Sequence, residues 1–234
     1  MPLSQMDLRQ VFGSIRTAGI PNAASQGLLP IWPFVTFSRE AGSSAKNIGM
    51  LLAKRLNETE SNEHPWQCLN RELIERIALD HHMSAELIES LEKSSHTWIS
   101  EFLSGLSRTD KTVSDMTIFK RTVETVRALA RAGHVILVGL GSSFMARDLP
   151  GGFHIRLVGP LEVRVANLAK HENIPINEAR KRVKLLDQDR LAFFQRFWPG
   201  QQLTPDLFHA TFNVGYLKDE QIVAAIETLI RTSK

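Results

Sequence analysis

Val135-Ile136-Leu137-Val138 is an unbroken apolar run, preceded by Gly133 and followed by Gly139-Leu140-Gly141. A strand wetted on one face alternates apolar and polar residues, so a run without alternation needs cover on both faces. That points to a parallel sheet enclosed between crossover helices. The rest of the chain agrees. Phe34–Phe37 is short, apolar and β-branched, and Pro65–Leu69, His154–Val158 and Thr211–Val214 read as further strands. Helical spacing appears in Ile48, Leu51, Leu52 and Leu56, and again in Leu73, Ile74, Ile77 and Ala78 within Arg71–Asp80. Helices are also predicted over Met116–Ala132 with Gly133 as its stop, Leu161–His171, Pro175–Phe197 ended by Pro199-Gly200, and Asp219–Arg231. Strands alternating with helices predict an α/β fold: a doubly wound parallel sheet with right-handed crossovers.

The first 33 residues read as an appendage. Leu8, Val11, Phe12 and Ile15 predict a short amphipathic helix over Met6–Arg16, and Gly19–Pro33 has the composition of a linker. The body of the domain is 34–234. Within it, Ser84 caps a predicted helix carrying Leu87, Ile88 and Leu91, and Ser94–Ser114 is polar and ambiguous. Apolar residues at 43% and charged residues at 23% mark a globular chain rather than a disordered one. One cysteine, Cys68, excludes an internal disulfide framework and a cysteine metal cluster. His81-His82 cannot share a metal on a helix, where adjacent side chains diverge by about 100°, so no metal site is expected. No membrane-length apolar run and no signal-peptide order are present, and the expected location is the cytoplasm. The formal charge is only +3, with basic residues concentrated at 180–196, so a nucleic-acid partner is not expected.

The turn after the first strand carries the chemistry. A buried strand leading through small residues into a helix gathers backbone N–H groups at the positive end of the helix dipole, a ready anion site. Ala41-Gly42-Ser43-Ser44-Ala45 supplies the small residues. The full pattern G-x-x-x-x-G-K-[ST] is not met. Superimposed on the nucleotide-kinase form of that loop, Ala45 stands where the lysine belongs, Lys46 stands one place later, and Asn47 takes the hydroxyl position that would ligate Mg²⁺. Gly139-Leu140-Gly141 is no dinucleotide fingerprint, because Phe144 occupies the place of the third glycine.

Val35-Thr36-Phe37-Ser38-Arg39-Glu40-Ala41-Gly42-Ser43 resembles the opening of the cytidylate kinase-like proteins, a bacterial branch of the P-loop nucleoside-monophosphate kinases. That branch typically reads Ser-Arg-x-x-Gly-Ser-Gly-Gly-[Arg/Lys] here, with its basic residue one place beyond the usual lysine, as Lys46 is. The resemblance continues in Asn70-Arg71-Glu72-Leu73-Ile74, Val138-Gly139-Leu140-Gly141, Pro160-Leu161-Glu162-Val163-Arg164 and Asp187-Gln188-Asp189-Arg190. It implies a three-layer P-loop fold with about five parallel strands and a helical lid at about 175–200. It also implies ATP with Mg²⁺ as cofactors, nucleotide substrates and cytidylate as the nominal acceptor.

On this resemblance Ser38 and Gly42, Ser43, Ser44, Ala45, Lys46 and Asn47 hold ATP phosphates, with Arg39, Lys46 and Arg190 as the catalytic cations. Lys46 has the alternative of a solvated first-turn residue. Asn70, Gly139, Gly141 and Arg147 would face the acceptor. Relatives carry aspartate at the position of Asn70, which is otherwise a capping residue, and arginine at that of Leu140. Arg147, if not a surface residue, is the nearest replacement for that arginine. Arg182, Asp187, Arg190 and Arg196 belong to the lid, with Phe193, Phe194, Phe197 and Trp198 packing it. Two function classes follow: an ATP:nucleoside-monophosphate phosphotransferase, or a catalytically impaired nucleotide- or phosphate-binding regulatory protein. A basic lid contacting RNA is a third, minor reading.

Overall fold

The structure of the protein, a computed structural model, describes residues 31–59, 65–79 and 113–233. Five strands, β1 (Phe34–Arg39), β2 (Gln67–Asn70), β3 (Val135–Val138), β4 (Gly152–Val158) and β5 (Ala210–Asn213), form one sheet. Their order is β2-β3-β1-β4-β5 and every pairing is parallel. The helices are α1 (Ala45–Thr59), α2 (Arg71–Leu79), α3 (Val113–Ala132), α4 (Ser142–Met145), α5 (Leu161–Glu172), α6 (Ile176–Phe197) and α7 (Asp219–Thr232). The predicted helices at Met6–Arg16 and around Ser84, and the segment Ser94–Ser114 up to residue 112, lie outside the described residues.

Alternation along each buried strand sends successive side chains to two different cores. Phe34 of β1 and Val135 and Leu137 of β3 pack with α2, α3, α4 and the end of α6. Val35, Phe37, Ile136 and Val138 pack with Ile48, Leu52 and Leu56 of α1 and with Ile222, Val223, Ile226 and Ile230 of α7. The apolar run at 135–138 is thus covered on both faces. A third, smaller cluster joins Ala41 to Val165 of α5 and to Ala179 and Val183 of α6.

The boundaries shift from expectation for local reasons. β2 begins at Gln67, not Pro65: proline has no N–H for a ladder, and the Trp66 N–H is taken by Asn57 Oδ1 at 2.6 Å. β4 begins at Gly152, paired with Phe34, and β5 at Ala210, paired with Ile155. The four-residue helix α4 has no sequence period and was not expected. The Gly19–Pro33 linker is fastened at its end: the Pro33 carbonyl accepts the His134 N–H at 2.8 Å, and Trp32 packs on the His134 ring. No helix among the described residues is long and apolar enough to cross a membrane.

A polar chain runs beneath α4. Thr36 Oγ1 lies 2.8 Å from both Ser143 Oγ and His154 Nδ1, and His154 N–H donates to His209 Nδ1 at 2.9 Å. Burial, then the nearby His209 and Arg147, pushes the His154 imidazole down from 6.5 to about 4. Between those pH values the native chain holds fewer protons on His154 than the unfolded chain does. Stability is therefore full above pH 6.5 and falls as the pH drops toward 4, by up to about 3 kcal/mol. Urea midpoints across that window check this: His154→Gln should flatten the decline, and an unchanged slope would contradict it.

Candidate active site

The turn at 40–44 joins the end of β1 to α1. Gly42 (φ 77°) and Ser44 (φ 55°) are left-handed, and Ser43 between them is not. Such alternation turns successive N–H groups toward one point. Glycine is required at 42, since a Cβ would stand 2.7 Å from the carbonyl carbon of Arg164. Ser43 Oγ donates to the Glu40 carbonyl at 2.8 Å, so this hydroxyl closes the turn. The helical ladder starts only with Ile48 N–H, which donates to the Ser44 carbonyl at 3.0 Å. Among the described residues, no acceptor engages the N–H groups of Gly42, Ser44, Ala45, Lys46 or Asn47. They form a cradle of donors at the positive end of a 15-residue helix.

Arg164 of α5 holds the turn in place. Its Nε donates to the Gly159 carbonyl at 2.8 Å and lies 3.2 Å from Glu40 Oε2. Its Nη1 donates to the Ala41 carbonyl at 3.0 Å and to Asp187 Oδ2 at 2.6 Å. Asp187, on α6, accepts the Ala41 N–H on its other oxygen at 2.7 Å. Glu40 Oε2 also accepts the Gly159 N–H at 3.0 Å, and Asn167 Nδ2 donates to the Gly42 carbonyl at 3.2 Å. Both carboxylates beside the loop are thus committed to Arg164 and to backbone donors.

Beside the loop stands a group of cations. Arg39 crosses the top of β3, its guanidinium carbon 2.9 Å from where a Cβ on Gly139 would stand. Burial first, then the guanidiniums of Arg190 and Arg71, push Arg39 down to about 10. Arg190 is lowered too, by burial and then by Arg71 and Arg164, with Asp187 opposing. Its Nη1 is buried without a hydrogen bond, 3.6 Å from Asp187 Oδ1. Beneath them lies Cys68: burial pushes its thiol up to about 12, while Lys46 and Arg39 pull it down. Arg39, Arg71, Arg190 and Lys46 therefore share one field at the C-terminal edge of the sheet.

The remaining predicted residues divide clearly. Ser38 Oγ accepts from Arg156 Nη1 at 3.2 Å, Ala45 is buried, and Asn47 is exposed on the first turn of α1. Asn70 Oδ1 accepts the Leu73 N–H at 3.0 Å and so caps α2. Gly139, Leu140 and Gly141 are three successive left-handed residues, and Leu140 packs against the core. A Cβ at Gly141 would stand 2.6 Å from the Trp198 ring. Arg147 is not brought to the site. It neighbours His154, whose register partner Thr36 lies three residues, about 10 Å, behind Arg39 along β1. Of the lid residues, Asp187 reaches the loop and Arg190 lies beside Asp187. Arg182 pairs instead with Glu172 at 2.7 Å, and Arg196 lies over the Phe197 ring. Phe194, Phe197 and Trp198 are buried in the core, so the end of α6 is anchored.

The site also contains two residues not singled out from sequence, Arg71 and Arg164. Arg71 directly follows β2, and the carboxyl ends of parallel strands are where such sheets bind ligands. Arg164 closes the family-like stretch Pro160–Arg164, which gave it no role. The donor cradle and its cations fit a polyphosphate. They do not fit a protein-bound Mg²⁺, which takes carboxylate ligands. Glu40 and Asp187 are engaged, and among the described residues no three His, Cys, Asp or Glu side chains gather to hold an ion.

Gly42→Ala forces a Cβ onto the Arg164 backbone at a left-handed position and should destabilise the fold by about 2–4 kcal/mol. Chemical denaturation measures it, and an unmoved midpoint would refute the packing described.

A model of the cytidylate kinase-like family matches residues 34–216. No curated protein matches the chain. Among solved structures, an uncharacterized protein from Eubacterium ventriosum aligns over 86% of this chain and 98% of its own, at 16% identity and a TM-score of 0.65. That similarity is one of fold. Shikimate kinases from Acinetobacter baumannii and Bacteroides thetaiotaomicron align at 14% and 13% identity, over 87% and 85% of this chain and 95% and 98% of their own. Their TM-scores of 0.44 and 0.42 leave them too distant to argue from. With its loop, parallel sheet and matched residues taken together, the chain belongs to the cytidylate kinase-like family.

Proposed function

We propose that this chain is a phosphotransferase that uses ATP and a nucleoside monophosphate of the cytidylate type. Family membership supports a kinase-type function. The observation that carries the finer reading is the cradle of unengaged N–H groups of Gly42 and Ser44–Asn47, which follows β1 directly after Arg39, itself coupled to Arg71 and Arg190. Phosphoryl transfer asks a protein mainly to position groups and neutralise charge, and this site is built for both.

In this reading the backbone N–H groups of Gly42 and Ser44–Asn47 bind the phosphate chain, and ATP supplies the phosphoryl group. Lys46 and Arg39 lie beside the transferred group, and Arg190 balances the charge that spreads over its oxygens. Gly139 and Gly141, on the acceptor side, let the Arg39 guanidinium and the Trp198 ring approach the turn after β3. Asp187 acts indirectly, holding Ala41 in place. No step is assigned to Mg²⁺, for which the donor set is wrong. A cytoplasmic location belongs to the same proposal.

A second reading has its own support. Ala45 is buried, Asn70 is spent on a cap and Leu140 faces the core. Those three losses favour a regulatory protein that binds phosphate ligands without efficient transfer. The RNA reading has less support, because Arg180 and Arg182 are paired with Glu162 and Glu172.

Purified protein with ATP and each monophosphate, followed for ADP release, separates the first two. Turnover with cytidylate, reduced about 10²–10³-fold in Lys46→Ala, is the expected result. ATP at a hundredfold excess over its Kd should also stabilise the fold by about 2.7 kcal/mol. Stabilisation without turnover would favour the regulatory reading. No stabilisation by any nucleotide would refute both.

A further inference from the structure

We propose that this site takes its polyphosphate ligand as the metal-free anion, with the guanidiniums of Arg39, Arg71 and Arg190 in the role a divalent ion usually fills. The inference rests on the reading of the loop as a phosphate site. It departs from the usual arrangement, in which Mg²⁺ bridges substrate phosphates and one or two carboxylates of the protein.

Three observations carry it. First, the two carboxylates that flank the loop are consumed. Arg164 pairs with Asp187 and with Glu40 Oε2, the Ala41 N–H takes the other Asp187 oxygen, and the Gly159 N–H takes the same Glu40 oxygen. Freeing either one for a metal would unfasten the loop it holds. Second, the guanidiniums of Arg39, Arg71 and Arg190 act on one another, and the carboxylates near them, Glu75 and Asp187, are fewer than the three cations. Arg39 has no carboxylate partner among the described residues, Arg71 is shared with Glu75 at the surface, and Arg190 Nη1 is buried without a hydrogen bond. Like charges gathered out of water are costly, and burial together with the neighbouring guanidiniums lowers Arg39 and Arg190 accordingly. A ligand bearing several negative charges removes that cost; a ligand already neutralised by Mg²⁺ removes less of it. Third, the guanidinium forks supply planar, bidentate donors suited to phosphate oxygens.

The account predicts an unusual pairing of effects. Arg39→Met removes a largely buried cation from like-charged neighbours, so without ligand the protein should melt at the same or a higher temperature. The same variant should bind ATP at least tenfold more weakly in EDTA. Arg190→Gln provides a second variant with the same expected loss of affinity.

The test is calorimetric titration of the full chain with ATP, and with inorganic tripolyphosphate, in EDTA and then in excess Mg²⁺. Equal or tighter binding in EDTA, lost in both variants, is the expected result. If Mg–ATP binds and metal-free ATP binds at least tenfold more weakly, this inference fails and the proposed function stands. Should neither form bind, both fail. Metal-free binding that survives both substitutions would overturn the assignment to these guanidiniums.

Discussion

The Arg164 guanidinium is the point on which the site depends. One side chain meets the Ala41 and Gly159 carbonyls and the Asp187 and Glu40 carboxylates, so it joins the loop after β1, the turn after β4 and the long helix α6. The backbone around Gly42 leans directly on the backbone of Arg164. The left-handed conformation of Ser44 is unfavourable by itself, and this surrounding lattice is what holds it. A loop fixed in that way keeps its donors aimed before any ligand arrives.

Charge is sorted around the loop. Glu40 of the loop and Asp187 of α6 are bound by Arg164, while Arg39 has no carboxylate partner among the described residues and Arg71 pairs with Glu75 on its own helix. Arg190 sits near Asp187 but short of a hydrogen bond. The stability invested in the Arg164 lattice offsets an uncompensated cationic pocket beside it, the arrangement expected of a surface awaiting an anion rather than of a structural ion-pair network.

Much of this was legible in the sequence, and the reasons for the rest are physical. The unbroken apolar run at 135–138 and the apolar, β-branched run at 34–37 reveal strands buried on both faces, and the glycine and small residues at 41–45 reveal a turn with little room for side chains. Asp187 and Arg190 were singled out through a family motif; Asp187 accepts the Ala41 N–H of the loop, and Arg190 lies beside Asp187. Long-range partners were not readable. Arg164 lies 123 residues from Ala41, and only the crossover connections make them neighbours. Arg147 follows the same glycine-rich turn as α4, but the chain doubles back there toward the start of β4 and carries it away. Asn70 shows a further limit: sequence offered a capping role and a ligand role, and the hydrogen bond to the Leu73 N–H occupies its side-chain oxygen.

The central claim is that the loop donors and the guanidiniums converge on one bound anion. A crystal structure grown with pyrophosphate tests it most directly. The account predicts a phosphate within hydrogen-bond distance of the N–H groups of Ser44–Asn47 and of the Arg39 guanidinium, with the Arg164–Asp187 contact unbroken. Pyrophosphate seated instead on the outer basic face of α6, with the loop donors turned to water, would contradict it.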